Sequence, residues 1–141
     1  MESYNGGCLC GAVRFTAKAK PIVTRACWCH LCQKLASGNA TINLAFDKNA
    51  IVITGQLKDY SGVAESGNKM HRRFCPDCGV HMFSEAEERP NIIVVRAGTL
   101  DEPESVKVEA LIWTSSAPSW VKLDSNLPHF EAQPPALKVN E

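Results

Sequence analysis

Seven cysteines fall into three tight groups: Cys8 with Cys10, Cys27 with Cys29 and Cys32, and Cys75 with Cys78, the last pair followed by Gly79. A CxC or CxxC pair in a turn aims two thiolates at one point about 2.3 Å from each, which is what tetrahedral zinc demands. Two such pairs close a site. Four of the seven thiolates therefore make one closed centre and three are left over, and three protein ligands with a free fourth position is how zinc centres that do chemistry are built. An odd number of cysteines cannot pair completely within the chain, and a reducing compartment keeps thiols free, so a disulfide framework is disfavoured.

Joining Cys8 and Cys10 to Cys75 and Cys78 uses two complete turn motifs and leaves the compact CxCxxC group whole. Spacing alone also permits either pair to combine with the triplet. The favoured pairing closes a loop of well over half the chain, so it should stabilise the fold strongly. For Cys27, Cys29 and Cys32 the alternatives are buried core thiols, since free cysteine packs as a small hydrophobe, and iron–sulfur ligation. Three thiols crowded into one turn are better explained by a shared ion, and zinc suits them. The expected cofactor is thus two zinc ions per chain, one structural (Cys8, Cys10, Cys75, Cys78) and one catalytic (Cys27, Cys29, Cys32). Three thiolates on Zn²⁺ leave a net charge near −1, which weakens the ion as a Lewis acid and disfavours hydroxide generation. A soft site of this kind favours an exchangeable thiol, presented as a nucleophile near neutral pH.

The 141 residues suit one domain, expected over residues 1–133, with a loosely attached tail over 134–141 that opens on a Pro-Pro pair. Fifteen basic residues balance fifteen acidic ones and no basic run stands out, so the footprint of a nucleic-acid binder is missing. No stretch reaches the length of a membrane span, and the N-terminus lacks the pattern of a signal peptide; the expected address is the cytoplasm. Alternation predicts a strand over residues 12–17, a hairpin of 41–46 with 51–54 about the turn Asp47-Lys48-Asn49, and strands over 91–97 and 106–113. Cys75-Pro76-Asp77-Cys78-Gly79 resembles half a zinc ribbon, followed by an apolar run over 80–83. The one helix candidate, 31–37, starts inside the triplet and ends at Gly38. The reading is a mainly β fold with short helical turns.

Among other residues, His30 sits between two candidate ligands and reads as solvent-facing, with fourth ligand or proton shuttle as the alternatives. His71 and His81 flank the second knuckle and suit packing or hydrogen bonding to ligands, while His129 reads as surface. Lys34, Lys69, Arg72 and Arg73 are candidates for binding the carboxylates of an anionic thiol, against solvated surface. Trp113, Trp120 and Phe130 read as core or cleft wall.

Taken in order, Gly7-Cys8-Leu9-Cys10-Gly11-Ala12-Val13-Arg14-Phe15, Cys27-Trp28-Cys29-His30-Leu31-Cys32-Gln33-Lys34, Arg73-Phe74-Cys75-Pro76-Asp77-Cys78-Gly79, Gly98-Thr99-Leu100-Asp101, Ile112-Trp113 and Ala117-Pro118-Ser119-Trp120 resemble the glutathione-dependent formaldehyde-activating enzyme family, which includes centromere-protein-V-like members. The resemblance runs from about Gly6 to Phe130. It implies a compact Mss4-like β fold with two zinc ions, partitioned as above. It also implies a carbon–sulfur lyase of the S-(hydroxymethyl)glutathione synthase type, with glutathione or a similar small thiol and an aldehyde such as formaldehyde as partners. Many relatives carry His immediately before the Ile-Trp pair, where this chain has Leu111, a place where substrate specificity could differ. The reading from another class is a non-catalytic, zinc-stabilised binding module in which the triplet only staples a loop.

Overall fold

A computed structural model describes residues 3–137. Ten strands form among them: β1 (Tyr4–Gly7), β2 (Arg14–Ala17), β3 (Val23–Cys27), β4 (Thr41–Asp47), β5 (Ile51–Thr54), β6 (Lys58–Val63), β7 (Lys69–Phe74), β8 (His81–Ala86), β9 (Ile92–Arg96) and β10 (Ala110–Ile112). One α-helix, α1 (His30–Leu35), and short 3₁₀ turns complete the described chain. The protein is mainly β, as its patterning predicts.

The strands make two sheets: β1-β2-β5, and β10-β3-β4-β9-β8-β7-β6. Every pairing is antiparallel except β10 on β3. Alternation decides what lies between them. In β2, Phe15 and Ala17 are buried while Arg14 is exposed. In the large sheet, Leu44, Phe46, Phe83, Ile93 and Val95 meet Val13 and Phe15 in one core. Phe15 packs edge-on against Phe83 with ring centroids 5.4 Å apart, and each such fully buried side chain stabilises by about 1.5–3 kcal/mol. A side chain at Gly6 would meet the Thr99 carbonyl oxygen at 2.2 Å and the Phe15 ring at 2.6 Å, so only glycine lets β1 close over that ring.

The hairpin expected of 41–46 with 51–54 does not form. Asp47 caps a 3₁₀ turn over Lys48–Ala50, its Oδ1 accepting from the Asn49 amide at 2.9 Å, and the turn carries the chain from one sheet to the other. β4 then pairs with β3 and β9, and β5 with β2. Of the strand expected over 106–113, only Ala110–Ile112 pairs as a strand, because the preceding stretch is tied by single bonds, including Glu109 N to the Thr24 carbonyl at 2.9 Å. β6 is a polar edge strand, mostly exposed, with no apolar alternation in its sequence to reveal it. The tail read as loose makes contacts as far as it is described. Pro134 is buried and Leu137 lines a cleft on the large sheet; residues 138–141 lie outside the described residues.

Candidate metal centres and the cleft above the large sheet

Cys8 and Cys10 sit in the turn leaving β1, and Cys75 and Cys78 in the turn between β7 and β8. The cluster therefore ties a turn of the small sheet to a turn of the large one. All four Sγ atoms lie within 4.8 Å of one another; Cys8 and Cys10 are 3.7 Å apart, as are Cys10 and Cys75. Four sulfurs about 2.3 Å from one tetrahedral ion stand roughly 3.8 Å from each other, whereas a disulfide needs about 2.05 Å. The donor set fits zinc and not a disulfide. Backbone donors favour the thiolate form: Val13 N–H reaches Cys8 Sγ at 3.3 Å, and the amides of Val80 and Cys10 help bring Cys78 down to about 6. Gly79, at φ +77°, turns the chain so that its amide closes on the Cys75 carbonyl at 2.9 Å, a conformation glycine adopts without penalty.

The second cluster grows from the end of β3. Cys27 is the last residue of that strand, Cys29 caps α1 with its Sγ accepting from Cys32 N at 3.3 Å, and Cys32 lies in the first turn of the helix. Gln33 fastens this turn, donating to the carbonyls of Trp28 at 2.8 Å and Ser116 at 3.0 Å. The helix stops where Ser37 and Gly38 both take positive φ. The three thiols are buried and mutually within 4.8 Å. Contacts from Cys27 and Cys29 hold Cys32 far below the ordinary thiol range, and the same contacts push Cys27 up.

Unlike the four-cysteine cluster, the triplet opens into a cleft. The ladder registers show how the cleft floor is laid out, because residues paired across strands share a face and i, i+2 neighbours follow on it. The row at the triplet is Ile112, Cys27, Thr41. The next is Ala110, Arg25, Asn43, Arg96, and the one beyond is Val23, Ala45, Val94, Ser84, Arg72. Arg25, Arg72, Arg89 and Arg96 all line the cleft, with Glu65 the one carboxylate among the lining residues described. Glu65 comes from the turn between β6 and β7, and its Oε1 accepts from the His30 amide at 2.8 Å, which brings that turn to the rim. Trp113 forms a wall and holds φ 56°, a strained choice for an aromatic residue; its Nε1–H donates to Gln133 Oε1 at 3.1 Å.

Arg96 donates from Nε to His81 Nδ1 at 3.3 Å and from Nη1 to Asn43 Oδ1. Burial, with Arg96 and Arg72 nearby, lowers His81 to about 4. It is therefore neutral, with its proton on Nε2, which is buried without a hydrogen-bond partner. His30 is exposed and stands outside the thiol cluster. His71 is bound to Asp59 and Glu87 at 2.7 and 2.9 Å, and His129 to the Asp124 carbonyl at 2.8 Å.

Of the four basic candidates, only Arg72 lines the cleft. Its neighbour Arg73 faces the other way and pairs with Glu85 at 2.9 Å, Lys69 lies 3.7 Å from Glu87, and Lys34 is exposed in the last turn of α1. Sequence reading missed Arg25, Arg89 and Arg96. The available signal is the i−2 relation of Arg25 to Cys27 on a strand, and it is hidden because Val-Thr-Arg-Ala-Cys lacks a clean apolar alternation. Trp113 is a cleft wall as expected, whereas Trp120 is 70% exposed and belongs to neither core nor cleft. Leu111 packs with Ala26 and Trp28, on the face opposite Ile112, and is not among the cleft residues.

A mainly β protein with two separate cysteine clusters able to hold metal ions is the class these features define. A family model described as glutathione-dependent formaldehyde-activating enzyme matches residues 3–116, and the chain belongs to that family. A crystal structure of a Rhodobacter sphaeroides protein is similar to it with a TM-score of 0.55 at 20% identity, covering 74% of this chain and 96% of that one; at that identity the likeness concerns the fold. No curated protein matches the sequence.

Proposed function

We propose that this protein is a zinc-dependent carbon–sulfur lyase-like enzyme. On this reading Cys8, Cys10, Cys75 and Cys78 hold a structural ion, and Cys27, Cys29 and Cys32 hold the ion that serves the reaction. The observation that carries it is the asymmetry of the two clusters: three buried thiols open into a lined cleft, while four others knit two turns together. The zinc, when bound, favours the thiolate form of a small thiol near neutral pH. The reaction joins that thiol to an aldehyde: the sulfur–carbon bond forms, the carbonyl π bond breaks, and the thiol proton ends on the new hydroxyl oxygen. The reverse cleaves the adduct. Glutathione and formaldehyde are the partners that the family's description suggests.

The chain's own residues supply the surroundings. Arg96, held by His81 and Asn43, places a fixed positive charge beside a thiolate group that is otherwise strongly negative. Ile112, Trp113 and Met70 give the cleft apolar walls that limit water. The competing reading, a binding module in which the triplet only staples a loop, does not call for the three thiols to open into a cleft; a ligand bound there without reaction is separated from an enzyme by the rate measurement below.

The test is exchange spectroscopy. NMR of formaldehyde, glutathione and their hydroxymethyl adduct at equilibrium should show faster exchange with the zinc-loaded protein than without it. Cys29→Ser and zinc-stripped protein should return the rate to background. Glutathione binding without acceleration would leave a thiol carrier in place of an enzyme.

A further inference from the structure

Arg96 heads a line of polar side chains that ends at the triplet. A guanidinium carries donors and no acceptor, so its neighbours must turn acceptors towards it. His81 offers Nδ1 to the Arg96 Nε–H at 3.3 Å, and Asn43 offers Oδ1 to Nη1. With its oxygen committed, the Asn43 amide has its NH₂ left for the other side, and Nδ2 donates to Thr41 Oγ1 at 3.0 Å. Thr41 and Asn43 are two residues apart on β4, so they share a face, Thr41 opposite Cys27 and Asn43 opposite Arg96. Thr41 is buried. A hydroxyl has one proton, and because Oγ1 accepts from Asn43 that proton is left to donate elsewhere. After the contacts from Cys27 and Cys29, a hydrogen bond from the Thr41 side chain helps hold Cys32 below the ordinary thiol range, followed by the charge of Arg96.

We propose that Thr41 is a positioning residue of the triplet, its hydroxyl held as a donor to the Cys32 sulfur by the fixed polarity of the Arg96–Asn43 pair. This rests on the reading that the three thiols hold an ion, and it names what keeps one of them in ligating form. If Asn43 flipped, Oδ1 would take the Thr41 proton and the sulfur would lose its donor. Arg96 forbids the flip, because an NH₂ facing a guanidinium sets donor against donor. A thiolate that accepts a hydrogen bond is a weaker base. When an incoming thiol gives up its proton, Cys32 is then a poor place for that proton to land, and Cys32 stays a ligand. Partners of this kind, one bond beyond the ligating atoms, orient and tune metal ligands.

Three substitutions read the direction of the Thr41 proton. Zinc affinity of the triplet is measured by competition with a chromophoric chelator, and the ion of the four-cysteine centre serves as the control for folding. Thr41→Val keeps the shape and removes the hydroxyl, and should weaken the triplet about tenfold or more, as loss of a partner to a metal ligand does. Thr41→Ser loses only the methyl group and should stay close to wild type. Asn43→Asp leaves Arg96 a carboxylate to pair with but offers Thr41 acceptors alone, so the hydroxyl turns away from Cys32. It should weaken the triplet, and Thr41→Val added to it should cost nothing further. Serine weaker than valine would mean that the methyl packs and the hydroxyl does not donate, and overturns the proposal; so does a full valine loss on top of Asn43→Asp. Should Thr41→Val fail to keep the four-cysteine ion, the other two decide: wild-type affinity in Asn43→Asp, or a loss in Thr41→Ser, overturns it. Two ions in the wild type with an unchanged Thr41→Val overturn the proposal and leave the metal reading standing. Wild-type protein that binds no more zinc than Cys29→Ser fails the metal reading and takes the proposal with it.

Discussion

The two cysteine clusters use the same side chain for opposite architectural ends. Cys10 and Cys75 are 65 positions apart and stand 3.7 Å from each other, joining a turn of the small sheet to a turn of the large one. Cys27, Cys29 and Cys32 span six positions at one end of a single strand and constrain little beyond their own turn. Loop-closure entropy grows with the logarithm of the loop, about 0.6 kcal/mol per doubling, so an ion at the first cluster restrains the unfolded chain far more. Cys8 and Cys75 also belong to the main core, beside Phe15 and Phe83, whereas the triplet forms a separate small cluster with Ile112. A long-range clip inside the core suits stability, and a local turn at the head of a cleft suits exchange.

The largest expected effect would break this comparison at its structural end. Cys75→Ser, or Cys8→Ser, should cost most of the folding free energy, because structural zinc binding contributes on the order of 10 kcal/mol to folding in small domains. Thermal melts should show a collapse of the transition by tens of degrees, or no cooperative transition at all. A melt within a few degrees of wild type would mean that the clip is not what joins the sheets.

Cys29→Ser probes the other end. Cys29 caps a six-residue helix and serine is itself a favoured N-cap residue, so the fold should lose little beyond what the triplet's own ion contributes, with cooperative unfolding kept. Zinc content should fall from about two ions per chain to about one, and the response to glutathione should vanish. Graded chelation of wild-type protein should likewise remove the triplet's ion first, since an open three-ligand site releases its metal more readily than a closed one. If elemental analysis and melts give the reverse order, the two roles are exchanged.

Arg96→Gln sharpens the contrast further. The guanidinium interacts electrostatically with Cys32 and Cys27 and lies on the other side of the sheet from the core, so the variant should spare the four-cysteine centre. Because Arg96 acts on the triplet through its charge, its loss makes the thiolate form less favourable, and metal affinity at the triplet should fall in competition with a chromophoric chelator. Glutathione affinity should fall as well, while the melt moves little.

The two clusters also differ in how much of them could be read from sequence. Turn motifs are local, so CxC, CxxCG and CxCxxC announced all three groups, and the grouping of Cys8, Cys10, Cys75 and Cys78 follows from keeping them whole. The cleft is not local. Arg25, Asn43 and Arg96 become neighbours only through the registers of β3, β4 and β9, and β3 reads Val-Thr-Arg-Ala-Cys, which lacks a clean apolar alternation. Arg72 and Arg73 look alike in sequence, yet the two-residue period of β7 sends one to the cleft and the other to Glu85. The failed hairpin has a similar cause: Asp47-Lys48-Asn49 is turn chemistry, but whether a turn folds a strand back or passes it to another sheet depends on partners elsewhere, here β2 and β9.

The smallest expected effect concerns His71, which lies away from both clusters on the face of β7 opposite Arg72. Hydrogen bonds to Asp59 and then Glu87 raise its pKa above the ordinary 6.5, tying β6 to β7 and β8. The site is exposed, so water and salt screen it and the effect is modest. Because the folded-state value is raised, the stabilisation is fully present below pH 6.5, where the histidine is charged in both folded and unfolded chains. It is lost as pH rises through the folded-state value. The difference in melting temperature between wild type and His71→Asn should therefore be largest near pH 6 and shrink towards pH 9, and it should shrink at high salt. β6 and β7 carry the turn that brings Glu65 to the His30 amide. Loosening them should thus disturb the rim of the triplet's cleft before it disturbs the four-cysteine centre, visible as faster amide exchange at His30 with Gly79 unchanged. A difference that grows with pH, or equal changes at both amides, would show that the β6–β7 edge does not serve the cleft in particular.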